Sequence, residues 1–131
     1  MNIVVDTNVF ISALIKDSTT REIIVNSKEN LIFPDFVFNE IKEHKKEILD
    51  KSKLSEKEFD ILLLRILNYI KLIPKEIILP YKKKSFEIIS KVDKDDAPFI
   101  ATALAFNACI WTDDKHLKKQ TDIKILTTKE M

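Results

Sequence analysis

The chain has 131 residues, of which 45% are hydrophobic and 33% are charged, a balance that fits one folded domain and excludes a largely disordered protein. Its 22 lysines and arginines nearly cancel its 21 aspartates and glutamates, and the net charge of +1 excludes a global electrostatic attraction to nucleic acid, so such binding needs a local patch. Glycine is absent, which excludes the glycine-rich phosphate loops of P-loop and dinucleotide-binding enzymes.

The first half of the chain alternates between strand-like and helical patterns. In chain order, the predicted elements are a strand over residues 3–5, helices over residues 7–16 and 21–28, a strand over residues 31–33, and one long helix from residue 35 to about residue 50. Without glycine, left-handed backbone positions should fall to asparagine. Asn30 and Asn107 are expected to supply them, because each stands where a helical pattern gives way to a strand.

The second half continues the alternation. Ser55 and Glu58 form a capping-box pattern at the start of the next helix, and Pro74 is expected to stop it. The predicted elements are a helix over residues 58–73, an edge strand over 77–79, helices over 81–91 and 98–106, a strand over 109–111, a short helix over 115–119, and a strand over 123–126.

The alternation of strands and helices predicts an α/β fold. We expect a three-layer sandwich, in which a short central parallel sheet of four to five strands carries helices on both faces. No repeat, linker or composition change divides the sequence, so a single domain over residues 1–131 is predicted.

Acidic residues stand where ligands gather in a parallel sheet, beyond the carboxyl ends of the strands. Asp6 follows the first strand, Asp113 and Asp114 follow the strand at 109–111, and Glu40 is one turn into the helix after the second strand. Taken singly, each aspartate is more often a helix cap, and the glutamate is more often solvent-facing. Together they would repel one another, and a divalent cation would resolve the conflict. All-oxygen ligands favour Mg²⁺ or Mn²⁺ over zinc.

Three more aspartates lie in the stretch VDKDDAPF, before the apolar helix. Pro98 lacks an N–H and belongs in the first turn of that helix, so the cap lies no earlier than Asp95 and Asp93 stays outside. Asp96 then lies on the helical face that turns into the protein. We therefore expect Asp95 to be the cap, Asp96 to be a ligand, and Asp93 to be a flanking acid.

The segments VVDTNVFISAL, FPDFVFNEI, DKDDAPFIATAL and IWTDDKHL, in this order and spacing, resemble the PIN domain over residues 3–128. The resemblance implies a metal-dependent nuclease that uses Mg²⁺ or Mn²⁺ and cleaves RNA. Many single-domain prokaryotic members are ribonuclease toxins of the VapC type, paired with an antitoxin protein.

The resemblance also implies which residues act. The residues that match the catalytic, metal-binding acids of the family are Asp6, Glu40, Asp96 and Asp114. Asn8 matches an asparagine that orients the first aspartate, and Asp93 matches an aspartate three residues before the third ligand. Many members have glycine where this chain has Asp113, so either residue of the Asp113–Asp114 pair could be the main ligand, and Asp113 and Asp93 are auxiliary candidates. Many have a further acid in place of His116, which leaves open whether one metal or two bind.

Basic residues near these acids are candidates for phosphate contacts. The favoured set directly follows the Asp113–Asp114 pair and consists of Lys115, Lys118 and Lys119. The lysine run at residues 82–84 is interpreted as a solvated face. His44 and His116 lie in exposed, lysine-rich helix ends, and Cys109 adjoins a buried strand, so none of the three is predicted to be catalytic.

The leading hypothesis is an endoribonuclease in which the acidic cluster holds a metal that activates water. The alternative is a catalytically weak nucleic-acid-binding or protein-interaction module with the same fold. A receiver-like domain would need a phosphorylatable aspartate with a partner lysine, and none is identifiable. The single cysteine, the absence of a signal-peptide pattern and an apolar stretch too short for a bilayer predict a cytoplasmic protein without membrane contact. Apolar helices between about residues 18 and 73 suggest a homodimer.

Overall fold

Five parallel strands form one central sheet in the structure, a computed structural model that describes residues 1–15, 18–89 and 94–131. The strands are β1 (Asn2–Val5), β2 (Asn30–Pro34), β3 (Ile70–Ile73), β4 (Cys109–Trp111) and β5 (Ile125–Leu126). Their order across the sheet is β3-β2-β1-β4-β5, and each neighbouring pair is parallel. The predicted parallel sheet is therefore confirmed.

The described segments contain eight α-helices and four short 3₁₀ turns. The helices are α1 (Thr7–Ser12), α2 (Thr19–Asn26), α3 (Asp35–Glu43), α4 (Lys45–Ser52), α5 (Glu56–Ile66), α6 (Lys75–Ile78), α7 (Lys82–Ile89) and α8 (Ala97–Phe106). The 3₁₀ turns are Leu79–Tyr81, Lys94–Asp96, Lys115–Lys119 and Thr128–Glu130. None of the described helices is both long enough and apolar enough to cross a membrane.

The helices lie in two layers, because the chain adds β2 and β3 on one side of β1 and then crosses back to add β4 and β5 on the other side. Crossovers between parallel strands are right-handed, so α1 to α5, which connect β1 to β3, cover one face, and α6 to α8, which connect β3 to β4, cover the other. Direct contacts agree: α8 lies against β1, β2 and β4, and α2 lies against α5. This arrangement is the predicted three-layer sandwich.

Aromatic side chains tie three helices to the carboxyl end of β2. The ring centroids of Phe10 and Phe33 are 4.8 Å apart, those of Phe10 and Phe38 are 6.0 Å apart, and those of Phe33 and Phe99 are 5.9 Å apart. Such pairs stabilise a core by about 0.5–1.5 kcal/mol each beyond the apolar area they bury. Because these rings belong to α1, α3 and α8, the cluster fixes the helices that carry candidate site residues.

The region between Ile66 and Leu79 differs from the prediction. Helix α5 ends at Ile66, and Ile70–Ile73, predicted to be its last turn, form β3. The apolar residues there are so dense that they fit the helical and the strand period equally well, and pairing with β2 decides between them. The edge strand predicted over residues 77–79 is wrong, since these residues belong to α6 and the 3₁₀ turn that follows it.

Smaller corrections concern element ends. The predicted long helix breaks at His44, whose backbone is non-helical (φ −98°, ψ 17°), into α3 and α4. The first helix ends at Ser12 and the last strand is shorter than predicted. Asn107 is left-handed (φ 50°) as predicted, whereas Asn30 begins β2 and the other described left-handed residue is Lys53 (φ 61°).

Candidate functional site

The strand order reverses between β1 and β4, and ligands bind at this kind of switch point in open parallel sheets. Asp6 directly follows β1, and Thr112 directly follows β4. The backbone N–H of Asp6 donates to the carbonyl oxygen of Trp111 at 3.0 Å, so the two strand ends are held side by side. A cleft of about 640 Å³ lies at this edge of the sheet.

The four acidic residues carried over from the resemblance all line this cleft. Asp6 comes from the end of β1, Glu40 from α3, Asp96 from the start of α8, and Asp114 from the segment after β4. Asn8, near the start of α1, also lines the cleft. The fold therefore brings together residues that are up to 108 positions apart in the sequence, since 114 minus 6 is 108.

Asp6 is the most buried of these acids, with 5% of its surface exposed. Burial raises the pKa of its carboxyl group above the ordinary value of 3.8, hydrogen bonds from the Thr112 hydroxyl and the Thr7 backbone lower it, and the charges of Asp114 and Asp113 raise it further. Ionised Asp6 is therefore an unfavourable charge in the protein alone. A cation in the cleft would offset both the burial and the repulsion.

Thr112 is a site residue that sequence reasoning missed. Its side chain is fully buried, and its hydroxyl donates to Asp6 Oδ2 at 2.7 Å while accepting from the backbone N–H of Asp114 at 3.0 Å. One hydroxyl thus links the acids that follow β1 and β4. The available signal was a hydroxyl residue directly between a buried strand and the Asp113–Asp114 pair.

Asp113 and Asp114 have different surroundings. Asp113 is exposed, and its Oδ1 accepts from the Thr128 backbone N–H at 2.7 Å while its Oδ2 accepts from the Thr128 hydroxyl, so it holds the C-terminal 3₁₀ turn. Asp114 lines the cleft, and its Oδ1 caps the turn that follows by accepting from the His116 N–H at 2.9 Å. Of the pair, Asp114 is the residue placed in the cleft.

The start of α8 differs from its prediction by one residue. Lys94–Asp96 form a 3₁₀ turn, and Asp96 occupies the N-cap position of α8, so the predicted cap role of Asp95 is wrong. The helix begins at Ala97 with Pro98 in its first turn, and the Asp96 side chain makes no capping hydrogen bond. Asp96 is half-buried with its Oδ2 atom enclosed, whereas Asp95 is exposed, and both line the cleft. Asp93 lies outside the described residues.

The lysines in the cleft are not the predicted set. The described lysines that line it are Lys75, Lys82 and Lys94. The predicted contacts, Lys115, Lys118 and Lys119, are exposed on the 3₁₀ turn after Asp114 and are not among the lining residues, and Lys118 lies 4.0 Å from Glu130. Spacing along the sequence could not place α6 and α7 beside the acids.

The donor chemistry of the cleft fits a hard divalent cation, because carboxylate oxygens line it and no described histidine or cysteine does. Within the described residues, no group of three or more His, Cys, Asp or Glu side chains is placed so that it could hold a metal ion. Mg²⁺ typically binds one or two carboxylates and keeps several waters. The arrangement therefore suits an ion held by two carboxylates at a time rather than a closed protein cage.

Comparisons with known proteins agree with this architecture. A family profile described as the PIN domain matches residues 4–131. The chain is similar to a chain in the crystal structure of VapBC2 from Rickettsia felis bound to a DNA fragment from their promoter, with a TM-score of 0.71 and 16% sequence identity over 97% of this chain and 98% of that chain. No curated protein sequence matches. At this identity the structural likeness shows the fold.

Proposed function

Because the chain belongs to the PIN domain family, whose members are generally nucleases, we propose that it is a divalent-metal-dependent endoribonuclease that hydrolyses RNA phosphodiester bonds. One observation carries the proposal. Four acids from separate parts of the chain line a single cleft at the switch point of the sheet. The cleft volume of about 640 Å³ is that of a small-molecule or nucleotide site.

Mg²⁺ or Mn²⁺ would be held by two carboxylates at a time from the set Asp6, Glu40, Asp96 and Asp114. Such an ion supplies a water of lowered pKa for in-line attack and neutralises charge on the phosphoryl oxygens. The chain contributes orientation: the Thr112 hydroxyl and the Thr7 N–H hold the Asp6 carboxylate, and the cap to His116 holds that of Asp114. Without a cation the acidic cleft repels a phosphodiester, so the same residues make substrate binding metal-dependent.

The test is cleavage of a labelled RNA in Mg²⁺ or Mn²⁺ and in EDTA. The parent should cleave only with the metal, and Asp6→Asn, Asp96→Asn and Asp114→Asn should lose cleavage while circular dichroism shows that each remains folded. Folded variants that cleave as fast as the parent would refute the proposal.

A second candidate is a module that binds nucleic acid or protein without efficient cleavage. The observation that favours it is the absence, among the described residues, of a three-ligand metal group, together with the exposure of Glu40. A metal titration separates the two functions. Stabilisation by Mg²⁺ or Mn²⁺ while RNA stays intact favours the module, and stabilisation together with cleavage favours the nuclease.

We further propose that the chain is the toxin of a cytoplasmic toxin–antitoxin pair, and that it forms a homodimer. The toxin proposal is supported by the likeness to VapBC2 and by the family membership. The homodimer proposal is supported by exposed apolar side chains on α2 and α5, among them Val25, Ile61 and Leu64. A small DNA-binding protein encoded beside this chain, which binds it and suppresses its cleavage of RNA, is the expected partner. Co-expression tests this directly, because an antitoxin should relieve growth inhibition by the parent and leave an Asp96→Asn strain unaffected.

A further inference from the structure

One wall of the cleft combines aromatic, apolar and basic side chains. We call it the aromatic wall, and it consists of Phe36, Lys75, Leu79, Lys82 and Phe86. These residues come from α3, α6, the 3₁₀ turn at Leu79–Tyr81, and α7. They line the same cleft as the four acids, and the function proposed above does not use them.

The rings of the aromatic wall are accessible next to the acids. Phe86 has 38% of its surface exposed and Leu79 has 47% exposed, so neither side chain is buried in the hydrophobic core. Phe36 is half-buried and lies one helical turn before Glu40, on the same face of α3. An exposed apolar surface of this kind beside a polar site is removed from water when a flat or apolar ligand binds to it.

Two lysines accompany the two rings. Lys82 Nζ lies 5.9 Å from the centroid of Phe86, and Lys75 Nζ lies 6.0 Å from that of Phe36. Both distances are at the outer limit of about 6 Å for a cation–π contact, so each contact is weak. Each ammonium group is therefore able to bind a phosphate instead of its ring. In the part of the chain that the structure describes, neither lysine is held in an ion pair.

We propose that the aromatic wall binds an unpaired nucleotide beside the scissile phosphate, with its base stacked on Phe86 and the flanking phosphates on Lys82 and Lys75. This inference rests on the nuclease function proposed above. It assigns phosphate contacts to α6 and α7, in place of the lysines that follow Asp114. Each ring has a lysine beside it, as each base has a phosphate beside it, and sequence-tolerant single-strand binding combines base stacking on aromatic rings with basic contacts to the backbone.

Charge and geometry favour nucleic acid over a protein as the occupant. The lysines give the wall a cationic rim, which complements phosphates and not a purely apolar peptide. The wall is also continuous with the acids at which the phosphodiester reacts. A base-paired duplex hides the faces of its bases, so the wall selects single-stranded over double-stranded substrate.

The test measures binding apart from cleavage. In an Asp96→Asn background with Mg²⁺, fluorescence anisotropy follows a fluorescein-labelled oligouridine and a hairpin duplex of the same length. Phe86→Leu should weaken oligouridine binding by about 5-fold or more, the lower limit for one stacked base, and Phe86→Tyr should retain it. Lys75→Gln combined with Lys82→Gln should reduce the slope of log affinity against log salt by about 1.4, or about 0.7 per phosphate contact.

Matched controls carry the same chemical changes elsewhere. Tyr69→Leu removes another exposed aromatic ring and Lys57→Gln another exposed lysine, and both should bind as the parent does. The proposal is overturned if Phe86→Leu binds oligouridine normally, which would leave the wall to a protein partner, or if Lys119→Gln lowers the salt slope and the Lys75/Lys82 pair does not. Anisotropy measures binding and does not depend on cleavage. Failure of the proposed nuclease function would therefore be seen in a different experiment, as RNA that stays intact when it is incubated with the parent protein, which retains Asp96.

Discussion

Replacing Thr112 by valine tests whether one buried hydroxyl organises the acidic site. Valine keeps the shape of threonine but removes the bond to Asp6 Oδ2 (2.7 Å) and the acceptor of the Asp114 N–H (3.0 Å). A bond to a charged group contributes about 1.5–3 kcal/mol, and the partly buried N–H of Asp114, left without an acceptor, costs about 1 kcal/mol, the lower end of the range for a buried group. The added apolar contact of valine returns about 1 kcal/mol. The expected net loss is therefore about 1.5–3 kcal/mol in the free energy of unfolding.

Urea unfolding followed by the fluorescence of Trp111, the single tryptophan and fully buried, measures this loss. Thermal unfolding should show a midpoint lower by about 3–5 °C per kcal/mol for a chain of this size. Thr112→Ser is the matched control, because it keeps the hydroxyl and removes a methyl group at a cost of about 1 kcal/mol.

Metal binding provides the second readout of the same substitution. Loss of a group that orients a ligand typically lowers metal affinity by about 10–100-fold. Thr112→Val should therefore need a higher Mn²⁺ concentration than the parent for the same stabilisation, and Thr112→Ser should need nearly the same concentration as the parent. A valine variant with the stability and metal affinity of the parent would refute the role given to this hydroxyl.

Three further predictions concern other residues. Asp6→Asn should stabilise the metal-free protein at neutral pH, and this gain should shrink towards pH 3.8. The reason is that burial raises the pKa of Asp6 in the folded protein, so the parent loses stability as the pH rises through that pKa. Urea unfolding in EDTA across a range of pH measures the gain, and a gain that persists at low pH contradicts the prediction. Asp113→Ala should lose about 1–3 kcal/mol of stability, because its bonds to Thr128 are removed, but should keep its metal affinity. Asp114→Asn still caps its turn, so it should keep its stability and lose metal affinity in calorimetric titration. The reverse pattern would exchange the roles of the two residues. Ser55→Ala should cost about 1 kcal/mol through loss of the α5 capping box and leave RNA cleavage unchanged, and altered cleavage would show that α5 reaches the site.

The sequence predicted the layers of the fold because its strands are short, buried and separated by clear helical periods. Its failures are local. At residues 70–73 the apolar pattern fits a helix as well as a strand, and only the pairing with β2 selects the strand. At residues 77–79 a β-branched pair suggested a strand, but Pro74 and Pro80 flank a helical turn that packs on α8. Tertiary contacts outweighed local preference in both places.

Asp6, Asp96 and Asp114 could be placed at one sheet edge from the sequence because each follows a strand or starts a helix, whereas the choice of these acids together with Glu40 came from the resemblance to the PIN domain. Thr112 was not predictable, since a buried threonine after a strand is ordinary until its two hydrogen bonds are seen. The aromatic wall was missed for a different reason. Apart from Phe36, its residues lie outside the segments that carry the acids, and the β3-to-β4 crossover brings Lys75, Lys82 and Phe86 to the cleft.

If carboxylates from the set Asp6, Glu40, Asp96 and Asp114 hold the divalent metal that RNA cleavage requires, the cleavage rate of one labelled RNA in Mn²⁺ should separate the parent from Asp96→Asn. Both proteins must first show the same unfolding midpoint in EDTA. We predict metal-dependent internal cleavage by the parent and a rate at least about 10²-fold lower for the variant, since loss of a ligand should exceed the effect of losing a group that only orients one. Equal rates, or cleavage by the parent that persists in EDTA, would contradict it.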